Sequence, residues 1–278
     1  MGAPQPGKST PLVTRQPGQA TTVVQVGDVR FGDRKVVLIG GPCSVENADQ
    51  IISTATGVAA AGATMLRGGA WKPRTSPYDF QGLGPEGLDL LASARKATGL
   101  PFVTEVLDPR DVELVAGVAD MLQIGSRSVQ NFPLLREVGA SGKPVLLKRG
   151  MMTTVTEWLN SAEYILAAGG TRVVFCERGI RTFETALRNT LDVGSVAVLK
   201  ETTHLPVIVD PSHASGDVRY VTALARAAVA AGADGLLVET HCAPDQALSD
   251  SAQSLDPDRF AELARACRAV ARAIDRDL

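Results

Sequence analysis

Four cysteines in 278 residues are too few to staple a secreted domain, and no stretch approaches the roughly 18 unbroken apolar residues that a membrane span requires. Aromatic residues supply only 4% of the chain, and neither sign of charge dominates, with 28 Lys+Arg against 30 Asp+Glu and a formal net charge of −2. That balance creates no general field for a polyanion, and no basic stripe appears, so nucleic acid is not expected as a partner. The opening MGAPQPGKSTPLVTRQPGQATT lacks an apolar core of about 7–15 residues and does not read as a secretory signal. A cytoplasmic protein with reduced thiols and no membrane association is expected.

What is present is ordinary globular composition, 45% apolar and 21% charged, in a length that suits one α/β barrel of about 250 residues. Residues 1–21, rich in Pro, Gly, Gln and Thr without periodicity, read as a flexible tail. Residues 22–278 read as a single domain. It opens on a small hairpin, Thr22–Val26 and Val29–Phe31 around Gly27-Asp28. From Lys35 onward, short apolar runs alternate with longer amphipathic ones. The strands are Val36–Gly41, Thr64–Gly68, Phe102–Val106, Met121–Gly125, Val145–Arg149, Arg172–Glu177, Val207–Asp210 and Gly235–Glu239. The helices are Ala48–Ala61, Glu86–Thr98, Asp111–Ala119, Phe132–Val138, Val155–Ala168, Leu187–Thr203, Val218–Ala231 and Asp256–Asp277, and Gly62, Gly99, Gly142, Gly169 and Gly232 stand where left-handed caps are wanted. Eight near-continuous apolar strands, each followed by a helix, predict a parallel sheet covered on both faces and closed into a (β/α)8 barrel. An open doubly wound sheet would want a glycine-rich phosphate loop after the first strand, and GGPCSVE is not one.

In such a barrel the site is built at the C-terminal ends of the strands. Two groups of residues collect there. Arg67, Lys72, Arg74, Arg127, Lys148 and Arg178 place six cations around one mouth; any one alone reads as a solvated surface residue, but recurrence at successive strand ends predicts a site for phosphates and carboxylates. Cys43, His213, Glu239 and Asp250 converge from three strand ends and the last loop as a mixed soft and hard set, which suits a divalent first-row metal. Glu105, Gln123, Glu177 and Asp210 end other strands. His241, two residues beyond Glu239, competes as a ligand, and His204 reads as a helix-end cation.

Several of these segments are long and distinctive: GPCSVE (Gly41–Glu46), LRGGAWKPRTSPYDFQGLG (Leu66–Gly84), QIGSRSVQNFPLL (Gln123–Leu135), KRGM (Lys148–Met151), ERGIRTFE (Glu177–Glu184), DPSHASG (Asp210–Gly216) and the SD…QSL stretch of Ser249–Leu255. Together they closely resemble the type I-beta branch of 3-deoxy-D-arabino-heptulosonate 7-phosphate (DAHP) synthase, over essentially the whole barrel. The resemblance implies a metal-dependent, aldol-like condensation of phosphoenolpyruvate with D-erythrose 4-phosphate, the first step of the shikimate route. It implies one divalent ion, Mn in the first place with Fe, Co and Zn as alternatives, on Cys43, His213, Glu239 and Asp250. It places Arg127, Lys148 and Arg178 on the phosphoenolpyruvate phosphate, and Arg67, Lys72 and Lys148 near its carboxylate. Arg74, Thr75 and Ser76 fall on the aldose phosphate, and Glu105, Gln123 and Asp210 become supporting contacts. Lys72, Lys148, Asp210 and His213 form the implied catalytic set.

On family grounds a homo-oligomer, dimer or tetramer, is expected. No regulatory domain and no fused chorismate mutase precede the barrel in this sequence, so feedback inhibition through an attached domain is not expected. Ser251 stands where the family usually has glycine, and Cys242-Ala243 where a proline-containing turn is commoner; both departures bear on the loop that must deliver Asp250. The nearest rival is the similar 3-deoxy-octulosonate 8-phosphate synthase, which takes arabinose 5-phosphate and carries a KANRSS-type loop where this chain has KPRTS. A Schiff-base aldolase acting through Lys148 and a non-catalytic sugar-phosphate binder are the remaining alternatives.

Overall fold

A computed structural model describes residues 10–278. A hairpin of β1 (Val24–Val26) and β2 (Val29–Phe31) precedes eight strands: β3 (Val37–Gly41), β4 (Met65–Arg67), β5 (Phe102–Glu105), β6 (Met121–Ile124), β7 (Val145–Lys148), β8 (Val173–Glu177), β9 (Val207–Val209) and β10 (Gly235–Glu239). All eight pair in parallel, and β10 pairs with both β9 and β3, which closes the barrel. The helices between and after them are α1 (Ala48–Ala60), α2 (Pro85–Thr98), α3 (Val112–Val118), α4 (Phe132–Ala140), α5 (Val155–Ala167), α6 (Val193–Thr202), α7 (Pro211–Ser215), α8 (Val218–Ala230) and α9 (Pro257–Ala273). Gly62, Gly99, Gly142, Gly169 and Gly232 all take positive φ at helix ends, as the sequence predicts. Among the described residues no helix is long and apolar enough to cross a membrane, and the four cysteines are unpaired.

The alternation of the strands sorts their side chains into two cores. Leu38, Leu66, Leu122, Leu147, Phe175, Val209 and Val238 face outward and pack under the helices. Val37, Ile39, Met65, Val103, Met121, Leu146, Val174, Ile208 and Leu237 face inward, in one cluster with Val24, Val26, Val29 and Phe31 of the hairpin. The hairpin thus corks the N-terminal end of the barrel. Because side chains repeat every second residue, the next inward position on β4, β5, β6, β7 and β10 falls on Arg67, Glu105, Gln123, Lys148 and Glu239, and Asp210 follows β9 in the same phase. An apolar floor is therefore roofed by polar side chains. Glu177 is out of phase and faces away, bonding Arg149 Nη1 at 3.0 Å.

The sequence reading needs correction at three places. Leu187–Leu191, taken as the start of a helix, are not helical: Asp192 caps α6 by accepting from Ser195 N, and a helix starts after such a cap. Asp210–Gly216, read as loop, contains α7, capped by Asp210, begun by Pro211 and ended by Gly216 at φ +68°. The first nine residues of the expected tail lie outside the described residues, but residues 10–21 form a fixed arm along the barrel wall. The Glu163 carboxylate accepts from the Leu12 and Val13 amides at 2.8–3.1 Å, and Thr203 Oγ1 donates to Val13 O at 2.6 Å. His204 bonds Leu12 O at 2.8 Å and Thr22 Oγ1 at 2.7 Å, so it ties down this arm and does not serve the helix dipole. Composition identified a segment without its own periodicity; it could not reveal partners some 150 residues away. Glu163→Ala is expected to cost about 1–2 kcal/mol in a urea titration. The same variant should speed tryptic cleavage after Arg15, and an unchanged cleavage rate would contradict the anchoring role.

Candidate active site

One cleft at the C-terminal mouth is lined by Arg67, Lys72, Arg74, Arg127, Lys148 and Arg178, all six of the cations picked out in the sequence. Thr75, Glu105, Gln123, His213 and Asp250 share its wall, and Ser76 does not line it. Glu105 and Gln123 pair at 3.3 Å beneath Gly125, where an added Cβ would fall 1.9 Å from the Glu105 carboxylate. Arg74 is turned toward Asp79 on its own loop, at 3.4 Å. The cleft also includes Arg188, which sequence reasoning missed because it lies in the stretch misread as helix.

At one side of the cleft the four expected ligands meet. Donor atoms of Cys43, His213, Glu239 and Asp250 all lie within 4.8 Å of one another. Cys43 Sγ donates to Asp250 Oδ2 at 2.9 Å and accepts from Lys72 Nζ at 2.9 Å. His213 Nε2 is 3.2 Å from Glu239 Oε1. The Asp250 loop is joined residue by residue to the segment after β3: Glu46 accepts from Leu248 N, Ser44 bonds Ser249, and Cys43 meets Asp250. These contacts carry Asp250 to the cluster despite Ser251 and Cys242-Ala243. Asp250 itself adopts φ +52°, a conformation aspartate tolerates better than most residues. His241 does not join the set; its ring lies 3.5 Å from Glu46 and accepts from Ala243 N.

Three features fit a cation at this point. Glu239 is fully buried, and its Oε1 has no hydrogen-bond partner, with Arg67 Nη2 only in ion-pair range at 3.2 Å. His213 Nδ1 is committed to Asp210 Oδ2 at 2.7 Å, which fixes the tautomer that leaves Nε2 a lone pair facing the cluster. Burial lowers the His213 pKa, so that lone pair is free at neutral pH. Burial and the nearby Glu239 push the Cys43 thiol up to about 12. Only a cation would make it a thiolate at neutral pH.

Lys148 and Asp210 form the other buried centre. Their Nζ–Oδ2 distance is 2.5 Å, and Asp210 also accepts from the His213 amide at 2.9 Å. Burial alone would raise the Asp210 carboxyl; His213 and the Lys148 ammonium hold it well below the usual carboxylate range. An ammonium locked to a carboxylate is a donor and a fixed charge, not the free amine that a Schiff base requires. Arg67 Nε and Nη1 and Arg178 Nε are buried without partners, although the cleft runs past both guanidinium groups. Unsatisfied buried guanidinium N–H groups are costly, so their presence marks a place for an anion.

Residues 16–276 match the model of the DAHP synthetase I family. The chain belongs to that family. It is 49% identical over 263 residues to phospho-2-dehydro-3-deoxyheptonate aldolase of Thermotoga maritima, spanning 95% of this chain and 78% of that protein. A crystal structure of the Thermotoga DAHP synthase superposes with a TM-score of 0.93 at 48% identity, covering 96% of this chain and 78% of that one. A truncated form of the Thermotoga synthase gives 0.90 at 45% identity, covering 97% and 99% of the two chains. The 2-dehydro-3-deoxyphosphooctonate aldolase of Syntrophotalea carbinolica is 34% identical over 266 residues, 89% of this chain and 95% of that protein. The chain is thus more similar to the heptonate aldolase than to this octonate aldolase.

Proposed function

We propose that this chain condenses phosphoenolpyruvate with D-erythrose 4-phosphate and water, giving 3-deoxy-D-arabino-heptulosonate 7-phosphate and inorganic phosphate. The observation that carries the reading is the pairing of orphaned, buried Arg67 and Arg178 N–H groups with the Cys43/His213/Glu239/Asp250 cluster in one cleft. The first suits a doubly anionic substrate and the second a divalent ion, Mn in the first place, with Fe, Co and Zn tolerated by the same donors. When bound, such an ion supplies Lewis-acid polarisation of the aldehyde carbonyl.

Arg127, Lys148 and Arg178 take the phosphate of phosphoenolpyruvate, while Arg67 and Lys72, with Lys148 between, take its carboxylate. Arg74 and Thr75 hold the aldose phosphate, with Arg74 leaving Asp79 to do so. Glu105 and Gln123 line the wall between. Fixed cations bring two mutually repelling anions together, which offsets part of the entropic and electrostatic barrier before any bond changes. The enol carbon then attacks the aldehyde carbon, water adds at the former phosphoenolpyruvate C2, and phosphate departs by carbon–oxygen cleavage. Lys148 Nζ, held by Asp210, stabilises charge on the departing phosphate, and Asp210 also orients His213. A thiol that serves as ligand must stay reduced, which supports a cytoplasmic location. Assembly as a homo-oligomer, dimer or tetramer, belongs to the same reading.

Phosphate release from phosphoenolpyruvate tests the reading, on protein stripped with a chelator and then resupplied with Mn²⁺. Release is expected with erythrose 4-phosphate, lost on stripping and restored by the metal. Release with arabinose 5-phosphate alone would instead establish the octulosonate activity, and release with neither would leave a sugar-phosphate-binding role.

A further inference from the structure

Residues 188–189 form no part of a helix or strand, yet they are joined to the supports of three of the four clustered side chains. Arg188 N donates to Ser215 O at 3.0 Å, Asn189 N to Ala214 O at 2.9 Å, and Asn189 Nδ2 to His213 O at 3.0 Å, so the segment is stitched along α7. From there the Arg188 side chain crosses to the loop after β10. Its Nη1 donates to Asp250 Oδ1 at 3.0 Å and to Gln253 Oε1 at 2.9 Å. Gln253 Nε2 in turn donates to Glu239 Oε2. The path is packed as well as bonded: Gly216 ends α7 at φ +68°, and a Cβ there would lie 2.5 Å from Arg188 Cβ.

The direction of this relay is chemically determined. Gln253 is buried, and its amide could in principle sit either way round. Arg188 can only donate, so it holds Oε1 toward itself and obliges Nε2 to face Glu239; reversed, the amide would set donor against donor and acceptor against carboxylate. Each carboxylate then has one oxygen occupied and one aimed inward. Asp250 keeps Oδ2 toward Cys43 Sγ at 2.9 Å, and Glu239 keeps the unpartnered Oε1 toward His213 Nε2 at 3.2 Å.

We infer that Arg188, acting directly on Asp250 and through Gln253 on Glu239, is a positioning residue that makes both carboxylates single-oxygen donors to the metal and sets the tightness of the site. The inference rests on the metal reading proposed above. Outer partners of metal ligands change affinity by roughly 10–100-fold when removed.

The test compares the parent chain with Arg188→Met, Arg188→Lys and Gln253→Met by direct Mn²⁺ titration and by the visible spectrum of the Co²⁺ form. Arg188→Met and Gln253→Met are expected to weaken Mn²⁺ binding by about 10–100-fold. They should also alter the Co²⁺ d–d bands as the freed carboxylates close onto the ion with both oxygens, while the Cys43 sulfur-to-Co²⁺ charge-transfer band persists. Arg188→Lys should recover much of the affinity, because both bonds leave from one nitrogen. The Arg188 side chain is 42% exposed, so its variants keep the fold even where the buried Gln253→Met does not. Arg188→Met with parental affinity and an unchanged Co²⁺ spectrum overturns the inference whatever Gln253→Met does. A parent chain that binds neither ion overturns the metal reading itself, and this inference with it.

Discussion

Lys148→Met is expected to reduce kcat/KM for phosphoenolpyruvate by at least about 1,000-fold and to destabilise the fold by about 3–5 kcal/mol at neutral pH. The two effects share one cause. Lys148 is the only side chain on β7 that reaches the cleft, and its ammonium sits 2.5 Å from Asp210, which has no exposed surface. Removing it deletes a fixed positive charge where the departing phosphate needs one. It also takes one of its stabilising partners from a fully buried carboxylate, leaving it His213 and the Arg67 charge. In the parent chain the folded Asp210 carboxyl is held below its unfolded value. Its contribution is therefore fully present above about pH 4 and is lost only as pH falls through the lowered folded value. Without Lys148 burial weighs more heavily: the folded carboxyl moves up toward the unfolded value, and the stability Asp210 contributes above about pH 4 shrinks. Urea titrations of the two chains at pH 5 and pH 7.5 check that loss. Lys148→Met/Asp210→Asn should regain most of the stability and none of the rate. A single variant within tenfold of the parental kcat/KM would remove Lys148 from the chemistry.

Cys43→Ala is expected to weaken divalent-metal binding by roughly 100-fold or more and to remove the pH dependence of that binding. In the metal-free chain the thiol is pushed up to about 12, so it stays protonated at neutral pH and each ion bound as a thiolate complex must displace that proton. His213 is lowered by burial and releases no second proton. Metal affinity of the parent chain should therefore rise about tenfold per pH unit between roughly pH 6 and 8, with one proton released per ion. Calorimetric titration of Mn²⁺ in buffers of different ionisation enthalpy counts that proton. In Cys43→Ala the slope should fall close to zero while the three remaining ligands retain weak binding. A parental slope in the variant would show that the released proton comes from another group.

Much of this architecture was legible in residue order because a parallel barrel writes a local code. Each strand is buried on both faces, so it reads as an apolar run; each helix is buried on one, so it reads as amphipathic; and glycines such as Gly62 and Gly232 punctuate the ends. Where the code failed, a capping residue competed with periodicity. Leu187 and Leu191 look like a helical stripe, yet Asp192 starts α6 later, and Asp210 with Pro211 starts α7 inside what looked like a loop. The arm at residues 10–21 failed for another reason. Its order comes from Glu163, Thr203 and His204, and no window of sequence contains both sides of those bonds.

The sequence by itself determined the strand count, the parallel barrel and the inventory of groups at its mouth, because strand phase places every second side chain inside and the final inward position of β4, β5, β6, β7 and β10 is polar. It also determined that Cys43, His213, Glu239 and Asp250 belong on one side of that mouth. Only the tertiary structure decided how those groups are spent. It turned Glu177 outward to Arg149 and His241 toward Glu46, locked Lys148 to Asp210, and brought Arg188 across to Asp250 and Gln253. The physical reason is range: periodicity and capping act over a few residues, whereas a hydrogen bond between residues 188 and 250 exists only once the barrel has closed.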